Sequence, residues 1–472
     1  GPAMADAQKT ERDDANPTIF VIQTKGARGA NSFEKRLAAF AGDETGSPLI
    51  LIGPDEWLLA RAVQKALAVK FGSESGIFLW LAKQPGVRKV ERLRGQVAMK
   101  RWHDNPPPPA PRMDTAQPRK TLVTGEQDGW FSWNVKMVGA PEAWDMLGWD
   151  RSGEPPWRQP SIKVGHLDTG VTPHACLELH DGTAASSGHV LMHEGANTYD
   201  AAVHGSLPRD PLLAAGTPGH GLRTLSVLCG HQQNLFSGVA PRANIVPFRV
   251  TNFVVINPLV NTNNGLTEGI RRATEDKGCR VLSISLGDPC FPGKPTGRAV
   301  DRAYEMGVII VAAAGNVTSE VTFPGRYART IGVGGVSRNR RPWSGGSYGH
   351  RVDLCAPADE VYRALRDVGG SGREGYSSKD GDGTSYATTH VSAAAVLWLA
   401  YHGEKVQRLY GDTWRRVEAF RHCVKRSAKT DANWDSAKYG AGILWIPGLL
   451  QEALPDPSSL TKINDLAEDD LA

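Results

Sequence analysis

The stretch Gly381–Tyr401 reads GDGTSYATTHVSAAAVLWLAY and joins two different patterns. It opens with small and polar residues, including two glycines, and continues as an apolar, alanine-rich run of helical length. Ser385 stands where the turn ends and the helix begins. A serine at that place is either a plain helix N-cap or a nucleophile held at the positive end of the helix dipole. The surrounding sequence has to decide between the two.

Strand-like and helical runs alternate on both sides of this stretch, from about Thr121 to Pro455. Nearly continuous Val, Ile and Leu strands with helices between them indicate a parallel sheet that is covered on both faces. We therefore predict an α/β fold with a doubly wound, mostly parallel sheet. Functional residues of such sheets lie at the carboxyl ends of the strands. The strand-like runs include SIKVGHLD, ANIVPFRV, RVLSISLG, VIIVAAAG, TIGVGGV and VDLCAPA.

The first part of the chain has a different organisation. Residues 1–16 are polar and are expected to be disordered, with a tag remnant at their start, and residues 17–102 are predicted to form a small α+β domain. Strands are expected at Thr18–Gln23, Ser47–Gly53 and in the runs GIFLWLA and VRKVERL, and helices at Asn31–Gly42 and Pro54–Gly72.

A proline-rich segment separates the two parts. The run NPPPPAPRMDTAQPRK, Asn105–Lys120, predicts a stiff, extended and exposed linker over residues 103–120. It is also a segment that a protease could grip. We therefore predict that the larger domain follows the linker and spans residues 121–455. The acidic residues 456–472 are expected to form a flexible tail.

Composition narrows the functional class. The formal net charge of +4 is too small to indicate a nucleic-acid partner. The excess positive charge lies in the first 120 residues, where it either contacts an acidic face of the larger domain or is ordinary solvated charge. The six cysteines are scattered without a CxxC pair, which disfavours a zinc site and suits a reducing compartment. No run reaches the ~18 apolar residues of a membrane span, so a cytoplasmic protein is expected.

Four polar residues stand at predicted strand ends or helix starts. Asp168 follows the apolar strand in VGHLDTGV, and His220 lies between glycines in TPGHGLRT. Asn316 ends the run VIIVAAAGN, and Ser385 begins the helix quoted above. Each alone suits a turn, a loop or a cap. Together they supply what nucleophilic acyl transfer needs: a hydroxyl, a base, a carboxylate that orients the base, and an oxyanion donor.

The chain resembles the subtilisin-like serine proteases, or subtilases, in the order Asp168, His220, Ser385 and in the motifs around these residues. The matching motifs are DTG, GHG, SLG, AAAGN and GTSYATTHV. The segments WNVKMVGAPEAWD, GVAP and YGAGILWIPGLL are also similar to the family. The match spans roughly residues 121–455, and five specific motifs occur in it in the same order as in the family. The sequence departs from the family at Leu222, Asp288 and Thr389, where Thr, Gly and Pro are usual.

The resemblance implies a serine endopeptidase acting on proteins or peptides. His220 would accept the proton of Ser385, Asp168 would orient and stabilise the imidazole, and the Asn316 amide with the Ser385 N–H would bind the oxyanion. No metal takes part in this mechanism. Calcium sites are common in the family, but Asn197–Ala201 is too weak a signal to place ligands. The resemblance also implies substrate-binding residues at Ser285, Leu286, Gly287, Ala314, Gly315, Thr322 and Thr384, without a basic preference at P1.

The role of the first domain stays open at this level. Secreted subtilases commonly carry an N-terminal α+β prodomain that assists folding and blocks the cleft, and LAKQPGVRKVERL, Leu81–Leu93, resembles the end of such a domain. The alternative is a sensor that gates the protease in response to a partner or effector. A third hypothesis makes the whole chain a catalytically silent scaffold that binds peptides.

Overall fold

The computed structural model describes residues 18–41, 49–53, 56–59, 61–94, 131–213, 217–252, 254, 262–288, 292–316, 321–367 and 372–469. The predicted N-terminal segment 1–16 and linker 103–120 lie outside these ranges. The two parts on either side of the linker are described separately below.

The first part is an α+β unit built on an antiparallel sheet with the strand order β2-β3-β1-β4. This order and connectivity are those of the split βαβ arrangement. Side chains from the sheet and the helices, among them Phe20, Ile22, Phe33 and Leu67, form a core of their own. The elements are β1 Thr18–Thr24, α1 Gly26–Ala41, β2 Leu49–Gly53, β3 Glu56–Leu59, α2 Arg61–Phe71, α3 Glu74–Ala82 and β4 Val87–Arg94.

Two predicted elements of this unit are wrong. Residues 54–72 do not form one helix, because Glu56–Leu59 pair with β1 and β2 before α2 begins at Arg61. The run GIFLWLA is the helix α3, which Ser73 caps by accepting the Gly76 N–H. Short apolar runs carry no periodicity that separates a strand from a buried helix, so neither difference could be read from the pattern.

The larger part is built on a sheet of nine described strands in the order β15-β14-β13-β12-β5-β11-β7-β6, with β8 beside β11. Every neighbouring pair in it is parallel. The predicted doubly wound, mostly parallel fold is confirmed. The strands are β5 Lys163–Asp168, β6 Leu179–His180, β7 Val190–Leu191, β8 Ala196–Asn197, β11 Asn244–Arg249, β12 Val281–Ile284, β13 Ile309–Ala313, β14 Ile331–Val336 and β15 Leu354–Pro357.

The chain direction across the sheet reverses at β5. Strand β11 lies on one side of β5, and β12 lies on its other side and leads outward through β13, β14 and β15. Ligands of open α/β sheets bind beyond the carboxyl ends of the strands at such a switch point. Asp168 is the last residue of β5, so the topology places it at that point.

Helices cover both faces of this sheet. Alternate residues of one strand enter opposite cores: Val281 packs with the helices of one face, and Leu282 with those of the other. The helices are α4 Trp133–Met137, α5 Ala140–Met146, α6 Ala201–His204, α7 His220–Cys229, α8 Thr262–Arg271, α9 Lys294–Glu305, α10 Thr384–His402, α11 Glu404–Tyr410, α12 Trp414–Ser427, α13 Ser436–Tyr439 and α14 Ile446–Gln451. Two small ribbons lie off the sheet: β9 His231–Gln232 with β10 Phe236–Ser237, and β16 Arg363–Arg366 with β17 Glu374–Ser377.

Helix α10, which contains the stretch quoted first, is deeply buried beside the site. Its residues from Thr384 to Leu399 are all buried, and it packs against β12 to β15 and against α7. A helix that is apolar on all sides is one that the protein encloses. Its first turn is therefore fixed from several directions, which gives Ser385 a rigid support.

Residues 456–469 of the acidic C-terminal segment are bound to the larger domain. The Asp301 carboxylate on α9 accepts the N–H groups of Ala467 and Glu468, at 2.8 and 3.1 Å. The Arg329 guanidinium donates to the Ile463 carbonyl and also pairs with Asp301. A flexible tail was expected from its charge, but apolar contacts and satisfied N–H groups hold these residues on α9.

Five of the six cysteines fall in the described residues, and each is buried and free: Cys176, Cys229, Cys279, Cys355 and Cys423. Burial raises the pKa of these thiols, so they are protonated near neutral pH. Among the described helices, none combines the length and apolarity that a bilayer crossing requires.

Candidate active site

Asp168 lies at the end of β5, fully buried between β11 and β12. Its Oδ1 accepts the N–H of Thr169 at 2.7 Å and the Nδ1–H of His220 at 2.7 Å. Burial alone would raise the pKa of Asp168, but the charge and hydrogen bond of His220 outweigh it and hold the pKa below its ordinary value. The carboxylate is therefore ionised at neutral pH.

His220 is the first residue of α7, and a close backbone approach brings it to Asp168. A Cβ on Gly221 would lie 1.9 Å from the Gly170 carbonyl oxygen, so only glycine lets the helix start against this turn. The Gly221 N–H donates to Thr169 Oγ1 at 3.0 Å and fastens the two segments together. The His220 ring is 2% exposed. The predicted pairing of Asp168 with His220 is present in the structure.

Ser385 lies in the first turn of α10, beside the carboxyl end of β12. Its Oγ donates to the Ser285 carbonyl at 3.1 Å, and Ser285 Oγ donates to the Ser385 carbonyl at 2.8 Å. No hydrogen bond joins Ser385 Oγ to His220 among the described residues. Catalytic hydrogen bonds are often formed only when the substrate is bound. In this state the hydroxyl is held by Ser285, the residue that the sequence placed in the substrate cleft.

Asn316 follows β13 and contacts the start of α10. Its Oδ1 accepts both the backbone N–H and the Oγ1–H of Thr384, each at 2.8 Å. Thr384 Oγ1 also accepts the Gly315 N–H at 3.2 Å. With Oδ1 occupied in this way, the amide is oriented with its Nδ2 donor available. Thr384 is fully buried, so its side chain serves to hold Asn316 and Gly315.

The residues expected to line the substrate cleft lie together at the ends of β12 and β13. A Cβ on Gly287 would be 2.3 Å from Thr322 Oγ1, and one on Gly315 would be 2.8 Å from Thr322 Cγ2. The Thr322 N–H donates to the Ala314 carbonyl. Thr322 therefore packs directly against both glycines, at positions where a Cβ would collide with it.

One of the backbone groups that a substrate strand would pair with is already hydrogen-bonded within the chain. The Gly287 N–H donates to the Val254 carbonyl at 3.2 Å. Ser285 and Leu286 are buried, at 1% and 0% exposure. A peptide that pairs with residues 285–287 therefore has to replace the Val254 bond.

Asp200, in the stretch considered for calcium, has other partners. The Arg249 guanidinium binds both of its carboxylate oxygens, at 3.0 and 2.8 Å, and His204 lies 2.8 Å away. These contacts lower the pKa of Asp200 to about 2, against the opposing effect of burial. In this structure Asp200 is held in an ion pair with Arg249.

The three departures from the family pattern are accommodated. Helix α10 runs without interruption through Thr389, whose Oγ1 donates to the Tyr386 carbonyl at 2.7 Å. Leu222 packs in the core. The Asp288 backbone exchanges hydrogen bonds with Phe323, at 2.7 and 2.8 Å, and its side chain is buried.

Two residues of the site were missed from the sequence. Thr224 Oγ1 donates to the second oxygen of Asp168 at 3.0 Å, and His166 Nε2 lies 3.0 Å from the same hydroxyl. The signals were present: His166 is two residues before Asp168 on one face of β5, and Thr224 is four residues after His220 on one face of α7.

Comparisons with known proteins relate the chain to the subtilases. The model of the Subtilase family matches residues 159–442. Subtilisin DY of Bacillus licheniformis is 32% identical over 246 residues, covering 51% of this chain and 77% of that protein. Subtilisin BL of Lederbergia lenta is 30% identical over 269 residues, covering 56% of this chain and 82% of that protein. Thermitase of Thermoactinomyces vulgaris is 28% identical over 289 residues, covering 60% of this chain and 88% of that protein.

The family model covers more than half of the chain, and the matched region contains the whole sheet with the Asp168–His220 pair at its switch point. The chain belongs to the subtilase family of serine endopeptidases.

Proposed function

We propose that this chain hydrolyses peptide bonds through Asp168, His220 and Ser385. The observation that carries the proposal is the 2.7 Å bond between buried Asp168 and His220, at the edge of the sheet where α10 presents Ser385. Ser385 Oγ leaves the Ser285 carbonyl and gives its proton to His220 Nε2 as it attacks the substrate carbonyl. His220 then protonates the leaving amine, and water releases the acyl group.

Asn316 and the start of α10 supply the oxyanion donors. The Asn316 Nδ2 group and the Ser385 N–H bind the negative oxygen, and the dipole of α10 adds to their effect. Because Thr384 fixes Asn316 from two atoms, the donor is oriented before the substrate arrives. Such preorganised donors need no rearrangement when charge develops.

The substrate binds as an extended strand along residues 285–287. A peptide that adds to this edge forms main-chain bonds in the manner of β-augmentation. Its pairing replaces the bond between the Gly287 N–H and Val254. The P1 side chain then lies along Ala314 and Gly315, with Thr322 beneath it.

Labelling with a fluorophosphonate probe tests the proposed nucleophile. The probe is expected to modify Ser385 alone, as seen by peptide mass mapping, and Ser385→Ala abolishes the modification. Thr388→Ala, in the same buried helix, is the matched control and keeps the labelling. A folded protein that stays unlabelled, both as the full chain and without residues 1–118, would favour the silent peptide-binding scaffold.

We further propose that the first domain keeps the protease latent until it is cleaved or displaced. Three features support this. The domain has its own core, its sheet has the split βαβ arrangement, and the proline-rich segment between the domains is open to cleavage in the sequence-based interpretation. The domain would occupy the cleft of the catalytic domain and thereby withhold the substrate.

The mass of the pure protein over time tests latency. We expect peptidase activity to rise as a product lacking the first domain accumulates, with no such product from Ser385→Ala. Full peptidase activity from a chain whose mass stays unchanged would refute latency.

Deletion of residues 1–118 separates two roles for the first domain. A domain that assists folding predicts a misfolded product, whereas a domain that gates the protease predicts a soluble and unregulated one. Circular dichroism and peptidase activity of the deleted chain distinguish the two results.

We also propose that the protein works in a reducing compartment, as its scattered cysteines suggest. The five buried free thiols described above are compatible with this. Equal thermal stability with and without a reductant is expected, whereas a large loss of stability on reduction would point to an oxidising location.

A further inference from the structure

His166 is a buried imidazole next to the Asp168–His220 pair that the proposed mechanism does not use. It lies on β5 two residues before Asp168, so both side chains point to the face that α7 covers. Its Nε2 is 3.0 Å from Thr224 Oγ1 and 3.8 Å from Asp168 Oδ2. The ring is 1% exposed, and its Nδ1 has no hydrogen-bond partner.

The burial of His166 decides which nitrogen carries the proton. A proton on Nδ1 would leave a buried N–H donor without an acceptor, which costs more than an unused lone pair at the same place. The neutral ring is therefore protonated on Nε2, and this N–H donates to Thr224 Oγ1. Burial lowers the pKa of His166 to about 4, so the ring is neutral over the working range of a histidine base.

The bond from His166 in turn directs the hydroxyl proton of Thr224. Thr224 Oγ1 has three acceptors in reach: Asp168 Oδ2 at 3.0 Å and the carbonyls of His220 and Gly221 at 3.2 and 3.3 Å. A threonine inside a helix commonly bonds back to the carbonyl four residues earlier. A hydroxyl that accepts from His166 keeps its own proton for the charged acceptor, which is also the nearest one.

We propose that His166 is a positioning residue of the triad, which aligns the Thr224 hydroxyl on Asp168 and so stabilises the carboxylate that orients His220. The relay runs from His166 Nε2–H to Thr224 Oγ1, and from Thr224 Oγ1–H to Asp168 Oδ2. This inference rests on the proposed catalytic function and adds a second support on the side of Asp168 away from His220.

The surroundings of His166 contain few other charges. On the neighbouring strands its register partners are Pro247 and Ser283, and Ser283 is bonded to Ser392 of α10. The titratable groups that act on the ring are Asp168 on its own strand and His220 on α7. A change at His166 therefore reaches the catalytic groups through Asp168 and Thr224.

Replacing His166 by Gln or by Asn tests the relay with two side chains of similar chemistry. The Gln amide nitrogen can occupy the place of Nε2, whereas the Asn amide nitrogen corresponds to Nδ1. We expect H166Q to keep kcat/KM within about threefold of the wild type and H166N to lose about tenfold, because a misdirected Thr224 hydroxyl removes a charge-assisted bond.

The pH dependence provides a readout that a structural role would not move. A carboxylate with one donor fewer attracts the imidazolium proton more strongly, so the acidic limb of kcat/KM in H166N should move to higher pH by about half a unit. His189 is a buried histidine bonded to Ala243, away from the triad, and its pKa is likewise lowered to about 4. H189N is the matched control and should leave the limb in place.

A double-mutant cycle tests whether His166 acts through Thr224. T224V alone should reproduce the loss and the shifted limb of H166N, and H166N/T224V should be no worse than T224V. Losses that multiply in the double variant would overturn the relay. An unshifted limb with unchanged kcat/KM in H166N would overturn the proposal as well.

Two measurements keep the result interpretable. The thermal unfolding midpoint of each variant identifies a loss of fold, and if H166N does not fold, H166Q and T224V carry the test: T224V must show the loss and the shifted limb and H166Q must not, and any other result overturns the proposal. Wild-type labelling at Ser385 by the fluorophosphonate probe is measured in parallel. If the wild type is labelled neither as the full chain nor without residues 1–118, the proposed function fails; if it is labelled and H166N behaves like the wild type, only this inference fails.

Discussion

Replacing Thr384 by Val should weaken catalysis without removing any group that contacts the substrate. The valine keeps the shape of the side chain but loses the hydroxyl, and with it the 2.8 Å bond to Asn316 Oδ1 and the 3.2 Å bond from the Gly315 N–H. The backbone N–H of residue 384 still holds Asn316 Oδ1. Asn316 is therefore held by one bond where the wild type has two.

The size of the effect follows from the bond that is lost. A hydrogen bond of this kind contributes about 0.5–1.5 kcal/mol net, so a looser Asn316 should lower kcat by up to about tenfold, with KM little changed. Asn316→Ala removes the donor itself and should cost ~10²–10³ in kcat. The double variant should resemble Asn316→Ala in kcat, because the Thr384 hydroxyl affects the oxyanion through Asn316.

Steady-state hydrolysis of a fluorogenic peptide, chosen from a peptide-library cleavage profile, measures these constants. Thr384→Ser retains the hydroxyl and is the control, expected within about twofold of the wild type. The reasoning would be refuted if T384V kept wild-type kcat in a folded protein, or if the losses of T384V and Asn316→Ala multiplied.

The remaining predictions concern stability and are measured on Ser385→Ala, so that self-cleavage does not interfere. Asp301→Ala removes the nearest carboxylate of Arg329, whose side chain is only 2% exposed. This change should lower the free energy of unfolding by about 3 kcal/mol. Asp465→Ala, which removes an exposed partner of Arg351, is the control and should change the free energy of unfolding by less than about 0.5 kcal/mol. Burial lowers the pKa of His166, His189 and His390 to about 4, 4 and 3. Because the unfolded chain binds these protons first, stability should fall as pH drops from about 6.5 towards 4, with a slope of up to about 1.4 kcal/mol per pH unit for each histidine. Urea unfolding at pH 7 and 5.5 measures the fall, and equal stability at both values would contradict it.

The sheet could be predicted because its signals are local and repeated, and the pairing of Asp168 with His220 was implied by the resemblance to the subtilases. Buried parallel strands appear as continuous apolar runs, and the carboxyl ends of such strands meet at one edge. The glycines beside His220 were visible in the sequence, but the close approach of Gly221 to Gly170 was found only in the structure.

Other features depend on long-range contacts that no local pattern contains. The segment Glu56–Leu59 is a strand because β1 and β2 pair with it, although its letters continue a helical pattern. Residues 456–469 are ordered because Asp301 and Arg329, far away in the chain, satisfy their backbone groups. The bond of Ser385 Oγ to the Ser285 carbonyl likewise joins residues one hundred positions apart.

The acyl-enzyme is the species that the account requires, and its capture is the most direct test. The protein without residues 1–118, or the full chain after removal of its first domain, is mixed with an activated ester and quenched in acid within the first turnover. Mass mapping should then locate one acyl group on Ser385, absent in Ser385→Ala and strongly reduced in His220→Ala. Product release without any covalent adduct on Ser385, or an adduct on another residue, would contradict the account.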